Sequence, residues 1–351
     1  MSTIVIGAQA LEKFVCDLFV AAGLPQDWAK AEAEILVWAD LRGVGSHGVL
    51  RIPSYLAWMP RGLRKADANI RTIKDKGVIG VLEADRGPGL YVTQRAMDMA
   101  IEKARAHGIG FVWVRQGTHT GAMGYYARRA AEAGMVGMTM CSSRPLMAYF
   151  GTRDAVLGTS PIAIGVPRAN GTPIVFDMAS AATTIGAMAQ ARQSGKPLPH
   201  GVALDAQGHV TTDPYKAETP LPIAGPEGSG LGFMIECLCS LLTGFPLVAT
   251  ALEDPSLRNE YVLNALCIAI DPEALDVAAS LGKEVDRLAR DIAAEPRAEG
   301  VAEILMPGER GDRVMAQRLR DGIPIPEGIW KQLTGEAQKR GVGVPQVVSS
   351  S

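Results

Sequence analysis

The sequence predicts an α/β fold entered through a helical module. Three observations carry that expectation: an i, i+3, i+4 apolar stripe near the start, short apolar strands alternating with Ala-rich helices from Val78 onward, and polar loops recurring after those strands. At 351 residues the chain exceeds the roughly 250–300 at which a single core stops growing, so two domains are expected.

Leu11, Phe14, Val15, Leu18, Phe19 and Ala22 share one face of a helix over 7–22, which Gly23-Leu24-Pro25 stops. A second helix is expected over 27–41 and a short third over 54–61, ahead of Gly62. Residues 78–84 and 109–114 read as buried strands bracketing a helix over 94–106, with His107 and Gly108 at its end. A helix over 125–133 follows, then strands over 136–141, 162–166 and 174–177. The Gly-rich run 225–232 leads into 233–243, long and apolar enough for a buried helix. Residues 264–271 read as a strand, 277–293 as a helix, 306–311 as a turn and the tail 341–351 as frayed. No internal repeat is visible.

Composition narrows the class. Lys plus Arg total 35 against 37 for Asp plus Glu, which gives no field to steer nucleic acid or an anionic membrane. No window approaches ~18 uninterrupted apolar residues and no secretory leader is expected, so the cytoplasm is the expected location. The five cysteines are scattered without paired spacing and read as reduced thiols. Histidines at ligand spacing are absent, so no metal is expected.

Chemistry concentrates between Ala39 and Tyr55, where Ser46, His47, Arg51 and Tyr55 share one Gly-rich stretch. Gly43-Val44-Gly45-Ser46-His47-Gly48 spells G-x-G-x-x-G, yet a dinucleotide fingerprint follows a strand, and here helical spacing precedes it. The glycines therefore end a helix. His47 titrates near ~6.5 when unperturbed, and an imidazolium beside a guanidinium suits a 2-oxo acid. The Arg clamps the carboxylate while the imidazolium protonates the carbonyl oxygen as hydride arrives. A turn whose histidine only caps backbone groups is the plain alternative. Ser46 as a hydrolytic nucleophile is disfavoured, because a G-x-S-x-G elbow needs a preceding strand. His119 lies in a Thr-His-Thr-Gly loop directly after a strand, where α/β folds meet ligand. Asp177 ends a strand and reads equally as a ligand contact or a helix cap. The 225–232 run could hold a phosphate at a helix entrance.

Five motifs, 39–55, 118–121, 157–167, 176–179 and 307–309, resemble in order those of the malate/L-lactate dehydrogenase family that is unrelated to the Rossmann enzymes. The resemblance spans about residues 8 to 335. It implies a non-Rossmann nicotinamide-binding α/β domain with a mixed, largely antiparallel sheet over 76–310. It also implies a helical, substrate-side and dimerisation domain from 1–75 and 311–351. The implied activity is NAD(P)-dependent hydride transfer at C2 of a small 2-hydroxy acid, or of a cyclic imine carboxylate, by a homodimer.

By position His47 resembles the family's proton carrier, with Ser46 tuning it, Arg51 clamping substrate, and Tyr55, Thr159 and Ser160 lining the substrate pocket. His119 resembles a second histidine that some members use as base, and it falls also among the cofactor contacts. The remaining implied contacts to the nicotinamide cofactor are Ser143, Asp177, Met178, Ala179, Glu227, Gly228, Gly308, Glu309 and Arg310. Two departures stand out. Glu227-Gly228 occupies the place where many members carry Lys-Gly, and a carboxylate beside pyrophosphate is repelled unless it turns to a ribose hydroxyl. NAD is therefore favoured over NADP, although Arg144 and Arg192 are available as partners for a 2′-phosphate. Ser160 precedes Pro161 where Asn-Pro is frequent. The competing class is a binding or regulatory member whose cofactor site Glu227 has disabled.

Overall fold

The computed structural model describes residues 2–350. The chain enters through strand β1 (Thr3–Ile6) and helices α1 (Ala8–Ala21), α2 (Gln26–Leu41) and α3 (Ile52–Trp58). It then builds a seven-stranded sheet from β2 (Arg71–Lys76), β3 (Ile79–Glu83), β4 (Ile109–Gly117), β5 (Val136–Ser143), β8 (Ile162–Val166), β9 (Ile174–Met178) and β12 (Leu263–Ile270). Two short ribbons lie between these strands in sequence, β6 (Met147–Ala148) with β7 (Ala155–Leu157), and β10 (Ala203–Leu204) with β11 (Thr219–Pro220).

The spatial order is β2-β3-β4-β12-β5-β8-β9. β3 and β4 run parallel, joined through α4 (Gly89–His107), and the other neighbours pair antiparallel. The sheet is thus mixed and largely antiparallel, as expected. β12 pairs with β5 in continuous register from Leu263↔Ser143 to Ile270↔Val136.

Side-chain alternation divides the core between two faces. Val112, Val114, Cys141, Ala265 and Cys267 pack with α1, α2, α4 and α5 (Gly124–Glu132), while Trp113, Met140, Leu266 and Ile268 pack with Ile235 and Cys239 of α7 (Pro226–Cys239). Burial on both faces explains why these strands read as continuous apolar runs. Helix backbone comes close to the sheet. A Cβ at Gly110 would lie 2.1 Å from Ala100 O of α4, and one at Gly165 would lie 2.4 Å from Ala127 O of α5.

The remaining helices are α6 (Ile185–Ser194), α8 (Val248–Glu253), α9 (Ala278–Ala294), α10 (Glu309–Asp321) and α11 (Glu327–Arg340). Strands β13 (Ile323–Pro326) and β14 (Ser349–Ser350) flank β1 in a three-stranded sheet. The tail expected to fray is instead paired, with Val5↔Ser349 and a Val348 N–H donated to Val5 O at 2.8 Å. A second expectation also changes. The helix placed over 233–243 begins seven positions earlier, at Pro226, because proline's fixed φ suits the first helical position. Nor is it fully buried: Phe233, Met234, Leu238, Leu241 and Leu242 are exposed. Among the described residues no helix is long and apolar enough to cross a membrane, and no cluster of His, Cys, Asp and Glu could hold a metal.

Candidate active site

The site begins where α2 stops. Gly43 takes φ 76° and Val44 N–H reaches back to Ala39 O at 2.8 Å, a Schellman-type closure. The apparent dinucleotide pattern is therefore a helix end followed by a single 3-10 turn, Gly45–His47. Asp40 organises that turn: its Oδ2 accepts Val49 N–H at 2.8 Å, and a Cβ at Gly48 would lie 2.1 Å from its Oδ1. Only glycine lets the chain close on this carboxyl. Burial pushes the Asp40 pKa up to about 7, opposed by the Val49 N–H and by Arg318. Arg318 of α10 also donates to Asp40 O.

Ser46 Oγ and His47 Nδ1 are hydrogen-bonded at 2.9 Å, and Arg51 Nε donates to Ser46 O at 2.7 Å. The guanidinium is thereby anchored through Nε, and its two Nη groups find no partner among the described residues. His47 is half-buried, and desolvation together with the Arg51 charge lowers its pKa to about 4.

His119 arrives from the other side of the core on the loop after β4. Gly89 N–H donates to Thr118 Oγ1 at 3.0 Å, Thr118 Oγ1 donates to Gly87 O at 2.9 Å, and Tyr126 OH donates to Thr120 O at 2.6 Å. The loop is thus fixed from α4 and α5. His119 stacks on His47 with ring centroids 5.5 Å apart and planes inclined by 24°. Its Nδ1 lies 2.6 Å from Tyr55 OH and receives Gly121 N–H at 3.2 Å. Desolvation, then the charges of Arg51, His47 and Arg64, hold the His119 pKa well below the ordinary value.

Beneath this cluster lies an ion pair the sequence did not announce. Arg64 and Glu32 pair with 1% and 0% of their side chains exposed, and the Arg64 guanidinium sits 4.7 Å from the Tyr55 ring centroid. Arg64 Nε and Nη1 have no hydrogen-bond partner, so ring faces are what they meet instead.

The positions expected to contact cofactor gather around the end of β9. Thr159 O accepts both Ser180 N–H and Ser180 Oγ at 2.9 Å, and Ile223 N–H donates to Ser180 O at 2.8 Å. A Cβ at Gly228 would lie 2.2 Å from Ile223 O, and one at Gly158 would lie 2.7 Å from Ser143 Oγ. Ser143, Thr159, Met178, Ala179 and Gly228 therefore share one neighbourhood. Ser160 is buried, with φ 33° and its Oγ donating to Gly158 O at 3.3 Å. Gly186, near the start of α6, lies against the Ser46 turn, where a Cβ on it would be 3.4 Å from Ser46 Cβ.

Other expected contacts have structural duties. Asp177 Oδ2 accepts Gly124 N–H at 2.7 Å and so caps α5 from β9. Gly308 takes φ 91° and its carbonyl accepts Arg42 Nη2 at 2.9 Å, while Pro307 O accepts Val175 N–H at 3.3 Å. Glu309 Oε2 accepts Met306 N–H at 3.0 Å, and Arg310 is exposed. Glu227 is exposed in the first turn of α7.

A nicotinamide dinucleotide fits the open edge of β9 better than the entrance of α7. β9 is the last strand of its sheet, and apart from Val175 N–H, which Pro307 O accepts, its outer backbone groups would be available to a carboxamide or a ribose, with Thr159 and Ala179 as small neighbours. At α7, by contrast, Pro226 has no N–H and Gly228 N–H is committed to Ile223 O at 3.0 Å, beside the Glu227 carboxylate. That end offers little to a phosphate and more to a ribose hydroxyl.

Fold and site together define a mixed-sheet α/β enzyme with paired imidazoles next to an anchored guanidinium. Residues 6–334 match the family model described as malate/L-lactate dehydrogenase, and the chain belongs to that family. It is 34% identical over 340 residues to an L-sulfolactate dehydrogenase of Methanocaldococcus jannaschii, covering 96% of this chain and 97% of that one. It is 30% identical over 335 residues to an NAD(+) ureidoglycolate dehydrogenase of Escherichia coli O157:H7, covering 95% of each. Among solved structures, a Δ1-piperideine-2-carboxylate reductase of Pseudomonas syringae pv. tomato superposes with TM-score 0.84 at 28% identity, covering 95% of this chain and 99% of that one. The chain is a nicotinamide-dependent oxidoreductase of the hydroxycarboxylate dehydrogenase type.

Proposed function

We propose that the chain reversibly transfers hydride between NAD(H) and C2 of a small 2-oxo/2-hydroxy carboxylate, with His47 carrying the proton. The observation that carries this reading is the free end of Arg51 beside His47, a carboxylate clamp adjoining a proton carrier. A reduced nicotinamide, held beside Thr159 and Ala179 at the end of β9, would supply the hydride to C2. The carbonyl π pair would then move to oxygen, and the His47 imidazolium would give its proton to that oxygen and become neutral. Arg51 holds the carboxylate, Ser46 orients His47, and Tyr55 closes the pocket behind His119.

In the free enzyme Arg51 and burial keep the imidazole neutral. A bound carboxylate offsets the Arg51 charge and raises the His47 pKa, so substrate charges its own acid. Reduction needs protonated His47, hence its rate falls as pH rises through that pKa. The apparent pKa in kcat is expected to lie above the value of about 4 governing kcat/KM. Equal values in the two profiles would remove His47 as the group that substrate charges.

NAD is preferred over NADP in this reading. Glu227 favours a ribose hydroxyl, and the two cations that could meet a 2′-phosphate are committed. Arg192 donates to Pro214 O and Ala217 O at 3.1 and 2.8 Å, and Arg144 lies 4.8 Å from the Tyr261 ring centroid. A panel of 2-oxo acids and cyclic imine carboxylates with NADH and NADPH tests both points. Turnover of no 2-oxo acid defeats the substrate class, and a strong NADPH preference defeats the cofactor assignment. Turnover of imines alone would favour the second reading, imine reduction, which the likeness to the piperideine-carboxylate reductase supports.

A homodimer is proposed on the exposed apolar surface formed by Phe233, Met234 and Leu238 of α7 and by Leu241 and Leu242 in the 3-10 turn after it. Light scattering is expected to give twice the 37.1 kDa chain mass, and a monomer at micromolar concentration would contradict it. Five unbridged cysteines support a reducing compartment, the cytoplasm.

A further inference from the structure

The two stacked histidines are not equivalent, and the difference lies at Nδ1 of His119. We infer that Tyr55 and the Gly121 amide lock His119 as a neutral Nε2–H tautomer, a fixed hydrogen-bond donor toward substrate, leaving His47 as the only proton carrier. The inference rests on the hydride-transfer reading above and divides the labour within that site.

A backbone N–H can only donate, so the 3.2 Å contact from Gly121 N to His119 Nδ1 requires a lone pair on that nitrogen. The Tyr55 hydroxyl, 2.6 Å away, is then also a donor to Nδ1. With Nδ1 accepting twice, the ring proton of neutral His119 must sit on Nε2. Protonating Nδ1 would set N–H against the Gly121 N–H, which unlike a hydroxyl cannot turn to accept. His47 differs, because its Nδ1 partner is the Ser46 hydroxyl, which donates or accepts by rotating. That freedom lets His47 gain and lose a proton without breaking its hydrogen bond.

The surroundings agree with this division. Burial, then the facing charges of Arg51, His47 and Arg64, disfavour a proton on His119. Glu32 lies behind Arg64 and is paired with it. Tyr55 has its ring over the Arg64 guanidinium, and burial raises its phenol pKa, so the hydroxyl keeps the proton it gives to the unprotonated Nδ1. Tyr55 is thus a positioning residue acting through His119, and the Nε2–H contributes in the manner of an oxyanion-hole donor.

Two measurements test the inference. The chain has five histidines, so the protein labelled with nitrogen-15 histidine gives a tractable long-range nitrogen–proton spectrum without any substrate. His119, assigned with the His119→Gln variant, is expected to show an unprotonated Nδ1 and a protonated Nε2 at neutral pH. Tyr55→Phe should weaken that preference. A protonated Nδ1, or an imidazolium, would overturn the assignment.

The second measurement is turnover. Glutamine places an amide N–H near the imidazole Nε2 position and cannot act as a base. His119→Gln is expected to keep kcat within about tenfold of the parent with an unchanged pH profile, while His119→Ala loses ~10²–10³. Equal losses in the two variants would make His119 a proton carrier after all. Failure of the parent to reduce any carboxylate would sink the reaction reading instead, and the tautomer result would stand apart from it.

Discussion

His47→Ala is expected to lower kcat by ~10²–10⁴ while the dissociation constant for NADH stays within a few-fold of the parent. The expectation follows from the separation of the two halves of the site. His47 sits on the turn after α2 and touches Ser46, whereas the positions expected to hold cofactor gather at the end of β9. Removing the imidazole leaves Arg51 anchored to Ser46 O, since that bond uses backbone oxygen, so carboxylate binding should largely survive. What is lost is the proton delivered to oxygen as hydride arrives. Stopped-flow and steady-state kinetics with the best 2-oxo acid would measure this, and an unchanged kcat would take His47 out of the chemistry.

Glu32→Ala should cost about 3–5 kcal/mol of stability, the usual penalty for leaving a buried charge without its partner. Arg64 and Glu32 have almost no exposed side chain, and Glu32 Oε1 also accepts Tyr91 N–H at 3.4 Å. Burial raises the Glu32 pKa even against Arg64, which marks a pair held at a desolvation cost. The double variant Glu32→Leu with Arg64→Met should therefore recover most of the loss, because it removes both charges from the interior. Denaturant unfolding of the single and double variants provides the comparison. A single variant within 1 kcal/mol of the parent would mean that water reaches Arg64.

The chemistry of this site was easier to read than the framework that supports it. Ser46, His47, Arg51 and Tyr55 stood out because reactive side chains crowd one Gly-rich stretch, and His119 because it follows a strand. Glu32 was hidden between Ala31 and Ala33 in a helix whose spacing is apolar, and nothing in its neighbours marks burial. Arg64 lies among Arg61 and Lys65, where a solvated cation is the ordinary reading. Asp40 and Gly48 matter through a close approach that only three-dimensional structure displays.

The fold divides in the same way. The core strands β4, β5 and β12 carry their own apolar signal, as do α1 and α2. β2 has all six residues exposed and α10 has no fully buried residue, its short apolar side resting on Val314 and Met315, so neither carries the buried run that marks the core elements. Ion pairs and strand pairing help to hold them, such as Arg128 with Asp312 at 2.7 Å beside the packing of Met315, and β2 with β3. Such contacts join residues far apart in sequence and leave no local trace. The Phe233–Leu242 stretch misled for the opposite reason, since apolar content alone does not say whether sheet, solvent or another chain covers it.

The end of α2, closed locally by Val44 N–H on Ala39 O, is also braced from the far end of the polypeptide: Arg318 reaches Asp40 O across 278 positions, and Asp312 meets Arg42 across 270. During synthesis, His47 emerges early, but beyond its local bonds to Asp40 its turn lacks this second brace until α10 has been made. A ribosome-bound chain would therefore hold a complete set of reactive side chains in an incomplete geometry. Contacts of such long range also slow folding, because loop-closure entropy is spent before they return any stabilisation. Activity should accordingly appear as a late step in refolding, after the central sheet has formed.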